Sequence, residues 1–186
     1  RWRMPRLLLS RLMNHELSLP KRHDADAVLT VSKELARRFA ETGYNSDRIH
    51  TILYGHDSKL FQAENANRKS KTIAMHGSFD THHLGPIATH AITQVALTKP
   101  ETRFLFIGTK TDALNKLAKC VRMTAPLANL ECTGFVPYNE VAPRLQEAGI
   151  GIIPYESSAG AHCAFIAKLV EYAALGLSVV STPLAG

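Results

Sequence analysis

Lys168-Leu-Val-Glu171-Tyr-Ala-Ala-Leu-Gly176-Leu-Ser178-Val-Val-Ser181-Thr182 is the stretch that decides the fold. It reads as a short helix stopped by a glycine, followed at once by a buried strand over residues 178–181. Lys168 and Glu171 are three apart, so both lie on one helical face near its N-terminal end. Two chemistries fit that pair. One is a surface ion pair on an ordinary helix of an α/β protein. The other is a nucleotide-sugar site, in which the lysine and helix dipole meet phosphates and the glutamate meets ribose hydroxyls.

Outward from this segment the chain alternates strands and helices. Residues 27–31 are apolar and β-branched enough for a buried strand, and Ser32 can cap a helix that ends near Gly43. Residues 49–53 give another strand before a turn at Gly55. Residues 62–70 are polar and unpatterned, as an interdomain linker is. Strands are then predicted at 72–76, 103–107, 130–133, 149–153 and 178–181. Helices are predicted at 86–97, 111–123, 139–148 and 165–175. Met75, Met123, Phe104 and Phe106 are expected in the core. Such a series predicts a parallel sheet between layers of helices. The domain plan is a remnant over residues 1–61, a linker over 62–70, and a second domain over 71–186.

In an open parallel sheet, ligands bind beyond the carboxyl ends of the strands. The loops there are suggestive: His76-Gly77-Ser78-Phe-Asp80-Thr-His82-His83, Gly108, Gly134-Phe135-Val136, and Pro154-Tyr155-Glu156 through His162. Glycines at such places let backbone amides approach a phosphate. Each glycine alone is ordinary turn chemistry; four such loops on one sheet edge say more.

Of 186 residues, 45% are hydrophobic and 20% charged, the balance of a globular chain rather than a disordered one. No apolar run approaches the roughly 18 residues that span a bilayer, and no signal peptide is visible. Cys120, Cys132 and Cys163 are odd in number and lack metal-type spacing, which favours reduced thiols in the cytoplasm. His82, His83, His162 and Cys163 do not match a structural zinc spacing, so no metal is expected. The net charge of +6 is concentrated at one end. Arg1, Arg3, Arg6, Arg11, Lys21 and Arg22 face Glu16 alone, interleaved with Trp2, Met4, Leu7, Leu8, Leu9, Leu12 and Met13. Residues 1–22 can thus form a basic amphipathic helix lying on an anionic membrane surface, or one docked helix of a larger domain with solvated arginines. Nucleic-acid binding is not supported, since no aromatic platform accompanies the charges.

Five segments together resemble a known family. Lys168 through Thr182 is similar to the donor-site signature of retaining GT-B glycosyltransferases of family 4 (group 1), K-L-x-E-Y-x-A-x-G-x-P-V-V-x-T. Asp26-Ala-Val-Leu-Thr-Val-Ser32 resembles that family's "aDavitvS" strand. Leu53-Tyr-Gly55-His-Asp57 through Phe61 resembles its "nGvDxxxF" hinge. Thr133-Gly134-Phe-Val-Pro-Tyr-Asn-Glu140-Val resembles "xGfvpyxel", and Gly151-Ile-Ile-Pro154 resembles "v-x-l-x-P". The resemblance runs from residue 26 to the end, in the family's order.

The resemblance implies a GT-B fold of two Rossmann-like domains, about twice this length, so the chain reads as a fragment: the donor-binding domain preceded by the end of an acceptor domain. It implies transfer of a sugar from a nucleoside diphosphate to a saccharide or lipid-linked acceptor with retention, in polysaccharide or glycoconjugate synthesis. The donor is then a substrate, and no cofactor is implied. The location would be cytoplasmic, at the inner face of the membrane if the N-terminal helix binds there. By the same resemblance Lys168 and Glu171 are the catalytic pair. Gly77, Ser78 and His83 would approach the diphosphate with Gly108, Phe135 and Val136 would form the base pocket, and the amides around Leu169 would add the helix terminus. Such a site works by placing positive charge and amide dipoles at the departing diphosphate.

Three departures stand out. Ser78 and His83 occupy places where the family carries an arginine and a lysine, and a histidine with a pKa of about 6.5 is a poor permanent phosphate partner. Cys163 stands where the family's first glutamate would be, with Glu156 as a possible substitute. Ser178 replaces a frequent proline. A non-catalytic Rossmann-like module binding a nucleotide or a partner protein therefore remains an alternative. A sugar epimerase of the same architecture fits the hinge and donor-helix patterns less well.

Overall fold

The computed structural model describes residues 6–63 and 70–185. Most of the polar stretch expected as a linker, residues 64–69, lies outside the described residues, as do residues 1–5 of the basic N-terminal segment. The chain forms two compact units. The first runs through Tyr54 and takes in His162–Phe165; the second comprises Gly55–Ala161 and Ile166–Leu184. The division thus falls before the polar stretch. Phe61, only 1% exposed, is the physical reason: its ring packs 5.5 Å from that of Tyr138 and anchors residues 55–63 to the second unit's core.

In the first unit, helix α1 (Arg6–Arg22) is followed by strand β1 (Val28–Thr30), helix α2 (Lys33–Glu41), a single 3-10 turn (Ser46–Arg48) and strand β2 (Ile49–Thr51). The two strands are parallel, with Val28 opposite Ile49. Ser32 caps α2 as its sequence position predicts: its Oγ accepts the Leu35 N–H at 3.1 Å and donates to the Cys163 carbonyl at 2.6 Å. Gly43, at φ +82°, closes the helix. Helix α1 leaves Leu7, Leu8, Leu9 and Leu12 exposed. No helix among the described residues is long and apolar enough to cross a membrane.

The second unit is built on strands β3 (Thr72–His76), β4 (Arg103–Ile107), β5 (Asn129–Cys132), β6 (Ile150–Ile153) and β7 (Ser178–Ser181). They form one sheet in the order β5-β4-β3-β6-β7, and every pairing is parallel. Helices α3 (Pro86–Thr98), α4 (Asp112–Thr124), α5 (Tyr138–Leu145) and α7 (Ala167–Ala174) make the crossovers. This is a Rossmann-like α/β arrangement, as the alternation predicts. Helix α6 (Ala159–Cys163) was expected to be loop. The core holds Met75, Phe104 and Phe106, each at most 2% exposed. Met123 is not in it: α4 buries Leu114, Leu117 and Val121, and Met123, two residues past Val121, falls on the opposite face and is 76% exposed.

Candidate functional site

Strand β3 is where the order of the sheet reverses. The chain leaves it toward β4 and β5 on one side and returns to β6 and β7 on the other. A crevice forms at such a switch point, beyond the carboxyl ends of the strands. Two glycines shape its floor. Gly77, at φ +103°, follows β3, and its N–H bonds to the Ile107 carbonyl at 3.0 Å. Gly108, at φ +149°, follows β4, and a Cβ there would come within 2.3 Å of the Gly77 carbonyl oxygen. Backbone therefore lies on backbone, which no larger residue allows. Above this floor opens a cavity of about 470 Å³, bordered by His76, Gly77, Gly108, Phe135, Val136 and Tyr138 and also reached by Ser78.

The face of α7 that carries Lys168 and Glu171 turns toward this crevice, but the two side chains do different things. Glu171 is 7% exposed. One carboxylate oxygen accepts from His76 Nε2 at 2.8 Å, the other from the Tyr138 hydroxyl at 3.2 Å. Burial pushes the carboxyl up, but the His76 hydrogen bond and charge, the Tyr138 hydroxyl and Lys168 outweigh it and hold the group below its ordinary value. His76 is itself held by Tyr172, whose hydroxyl lies 3.2 Å from both its backbone nitrogen and its Nδ1. Nε2 donates to Glu171 in either state of the ring, and the Tyr172 hydroxyl accepts from the backbone N–H while bonding Nδ1.

Lys168 is half-buried, and its Nζ donates to the Tyr155 hydroxyl at 2.8 Å. No carboxylate lies within 4 Å of it among the described residues, so the surface ion pair with Glu171 does not exist. Burial lowers the lysine pKa, with Glu171 and Asp80 opposing at longer range. Tyr155 is pushed up to about 12 by burial and the charge of Asp80. A cation here is held by a neutral phenol rather than by a carboxylate.

The remaining expected residues separate. Phe135 is 80% exposed on the rim, while Val136 packs against the core. The His83 ring packs at a tilt against Tyr155, 4.3 Å between ring centres. Its Nδ1 is 3.1 Å from Asp80 Oδ1 but poorly aligned, so this buried nitrogen makes no hydrogen bond. Burial lowers the His83 pKa; Asp80 opposes that shift, and Lys168 and His82 add to it. The Leu169 amide, expected to serve a ligand, is instead bonded to the Ile166 carbonyl at 2.9 Å. Glu156 does not join Glu171: its carboxylate accepts the Ile87 N–H at 2.8 Å and caps α3. Cys163 lies in the first unit. Among the described residues no group of three or more His, Cys, Asp or Glu is placed to hold a metal ion. His76, Tyr138 and Tyr155 had no assigned role in the sequence. For His76 and Tyr155, only their position directly at the ends of β3 and β6 could have marked them.

Comparison with known proteins places this crevice in a family. Residues 70–186 match the family described as glycosyl transferases group 1, well over half the chain. The chain belongs to that family. It is 29% identical over 142 residues to a putative teichuronic acid biosynthesis glycosyltransferase, TuaH, of Bacillus subtilis (strain 168), covering 74% of this chain and 35% of TuaH. The chain thus spans about a third of that relative's length. Among solved structures it is similar to Anabaena HepE in complex with UDP and glucose, at a TM-score of 0.68 and 14% identity over 86% of this chain and 45% of HepE. It is also similar to an S. aureus TarM mutant in complex with UDP and other ligands, at 0.67 and 11% over 87% of this chain and 31% of TarM. At such identities the glycosyltransferase structures speak for the GT-B type of fold.

Proposed function

We propose that this chain is the donor-binding part of a retaining glycosyltransferase of family 4 that transfers a sugar from a nucleoside diphosphate to a saccharide or lipid-linked acceptor. One observation carries the reading. Lys168 is a half-buried cation at the switch point, bonded to a phenol rather than to a carboxylate, beside two glycines that admit a close backbone approach. A diphosphate is the ligand whose charge and size suit such a place. The loop at Gly77 and Ser78 would meet it together with Gly108, and Lys168 would supply the charge. The first-turn amides of α7 ahead of Leu169 would add the dipole, since an α-helix leaves them without intrahelical partners. Glu171 would accept from the ribose hydroxyls, each of its oxygens keeping a lone pair beyond those used by His76 and Tyr138. Phe135 and Val136 would border the base.

Support from relatives agrees in kind. HepE has been solved with UDP-glucose, and TuaH is named for teichuronic acid biosynthesis. Polysaccharide or glycoconjugate synthesis on the cytoplasmic side is the setting we infer, and the reaction calls for no cofactor beyond its donor. Helix α1, with Leu8 and Leu12 exposed and Arg11 and Arg22 along the same helix, would supply a peripheral membrane contact. Ser78 and His83, in place of two cations, favour a second reading: a nucleotide-binding module without catalysis.

Thermal melts with UDP, GDP, ADP and dTDP test the assignment, with Glu171→Ala as control. One nucleotide should raise the melting temperature of the wild type and not of the variant. A wild-type melt indifferent to all four would defeat the donor-site reading.

A further inference from the structure

Lysine is among the side chains that lose most rotamer entropy when fixed, yet Lys168 is held at two points, Gly77 and Tyr155. Its stem crosses Gly77 so closely that a Cβ there would lie 2.9 Å from Cε and 3.1 Å from Nζ. Its Nζ donates to the Tyr155 hydroxyl at 2.8 Å and stands 5.5 Å from the centre of the same ring. Tyr155 is in turn fixed from two sides. Thr182, just past β7, donates its hydroxyl to the Tyr155 carbonyl at 3.0 Å. On the other side the His83 ring packs against the phenol. The loop carrying His83 is closed by Asp80, whose Oδ1 accepts from the N–H groups of His82 at 2.8 Å and His83 at 3.0 Å.

We propose that Tyr155 is a positioning residue for phosphate binding: it holds the Lys168 ammonium over Gly77, and His83 braces the ring that does so. The proposal rests on the nucleotide-sugar reading. By accepting one ammonium hydrogen the phenol fixes where the other two point, and Tyr155 acts through Lys168. That phenol is neutral at pH 7, as any tyrosine is, and burial pushes its pKa further up, to about 12. His83 then has a packing role rather than a charge role, which explains how a histidine serves where a lysine was expected. Burial and the nearby Lys168 and His82 favour its neutral form, against Asp80 and a backbone hydrogen bond at Ser78; Glu156, from the Tyr155 segment, directs its carboxylate to α3.

The test separates phosphate contacts from general damage. Calorimetric affinities are measured for UDP with uridine, GDP with guanosine, ADP with adenosine and dTDP with thymidine. The wild type should prefer one diphosphate to its nucleoside. Tyr155→Phe should weaken the diphosphate about tenfold and move the nucleoside by less than about twofold, since the lost bond involves a charged group. His83→Ala should act in the same direction. Neither change should add anything in a Lys168→Met background, because both act through that ammonium. Wild-type affinity in Tyr155→Phe, an equal loss for nucleoside and diphosphate, or an undiminished effect without Lys168 overturns the positioning role alone. A wild type with no preference for any diphosphate overturns the nucleotide-sugar reading and this role with it.

Discussion

Glu171 sits where burial by itself would expel a carboxylate's charge, and His76 is what retains it. The two are 95 residues apart in the chain, joined only because α7 packs over the end of β3. Truncating the glutamate strands a buried imidazole nitrogen, so Glu171→Ala should cost about 1–3 kcal/mol of stability. Urea unfolding monitored by circular dichroism would measure it. Glu171→Gln, which keeps an oxygen for His76, should lose less. The same pair fixes a pH dependence. In the fold the carboxyl titrates below its ordinary value of 4.5, while the unfolded chain titrates near that value. The unfolded state therefore takes up the proton first as pH falls. Stabilisation by Glu171 is complete above about pH 5 and is lost as pH drops through the folded value. Melting temperatures of the wild type and Glu171→Gln should converge as pH falls below about 5, by this argument. Lys168 and Glu171 were legible in the sequence because helical spacing is local. Their partners His76, Tyr138 and Tyr155 were not, because those contacts belong to the packing of the sheet.

Elements were read best where their ends are chemically marked. Ser32 and Thr111 each accept an N–H three residues on, at Leu35 and Leu114, and Pro86 opens α3 at the position where its missing N–H is harmless. Helix α6 has a mark of the same kind, Ser158 Oγ accepting the Ala161 N–H at 3.1 Å, but only 5 residues, too few for periodicity to register. The glycine of β6 shows what sequence alone cannot supply. Gly151 pairs with Ala74 and Val179 in mid-sheet, where glycine normally weakens a strand. A Cβ there would lie 2.5 Å from the Tyr172 ring, so the glycine exists to let α7 close on the sheet. Gly151→Ala should cost about 2 kcal/mol or more, seen as a lower urea midpoint. It should also weaken nucleotide binding, because Tyr172 is the group that orients His76 beneath Glu171. Gly134→Ala meets no atom within 4 Å and is strained only by its φ of +76°, so its cost should be the smaller of the two.

At the scale of the molecule the two units are built unequally. The second buries a continuous core, from Phe61 through Leu177, against a five-stranded sheet. The first has a two-stranded parallel sheet, and among the described residues its buried apolar side chains are Val28 and Tyr44. Leu29, on β1, and Ile52 and Leu53, just past β2, are each more than half exposed. Two strands alone are marginal in water, and parallel sheets are stable when both faces are covered. The alternation of hydrophobic segments revealed both units as α/β, but pattern does not report how much partner surface a strand has. Stability should therefore differ along the chain. Native-state hydrogen exchange should find the amides of β3 and β4 protected up to global unfolding, with those of β1 and β2 exchanging through local opening at far lower free energy. Adding the nucleotide that binds should slow exchange in β3, β4 and α7 and leave β1 and β2 unchanged, because binding stabilises only the states that contain the site. Sugar transfer by this chain alone is not expected, since the proposed function makes it the donor-binding part. Uniform protection across both sheets, or protection of β1 by nucleotide, would show instead that the first unit shares the cooperative core.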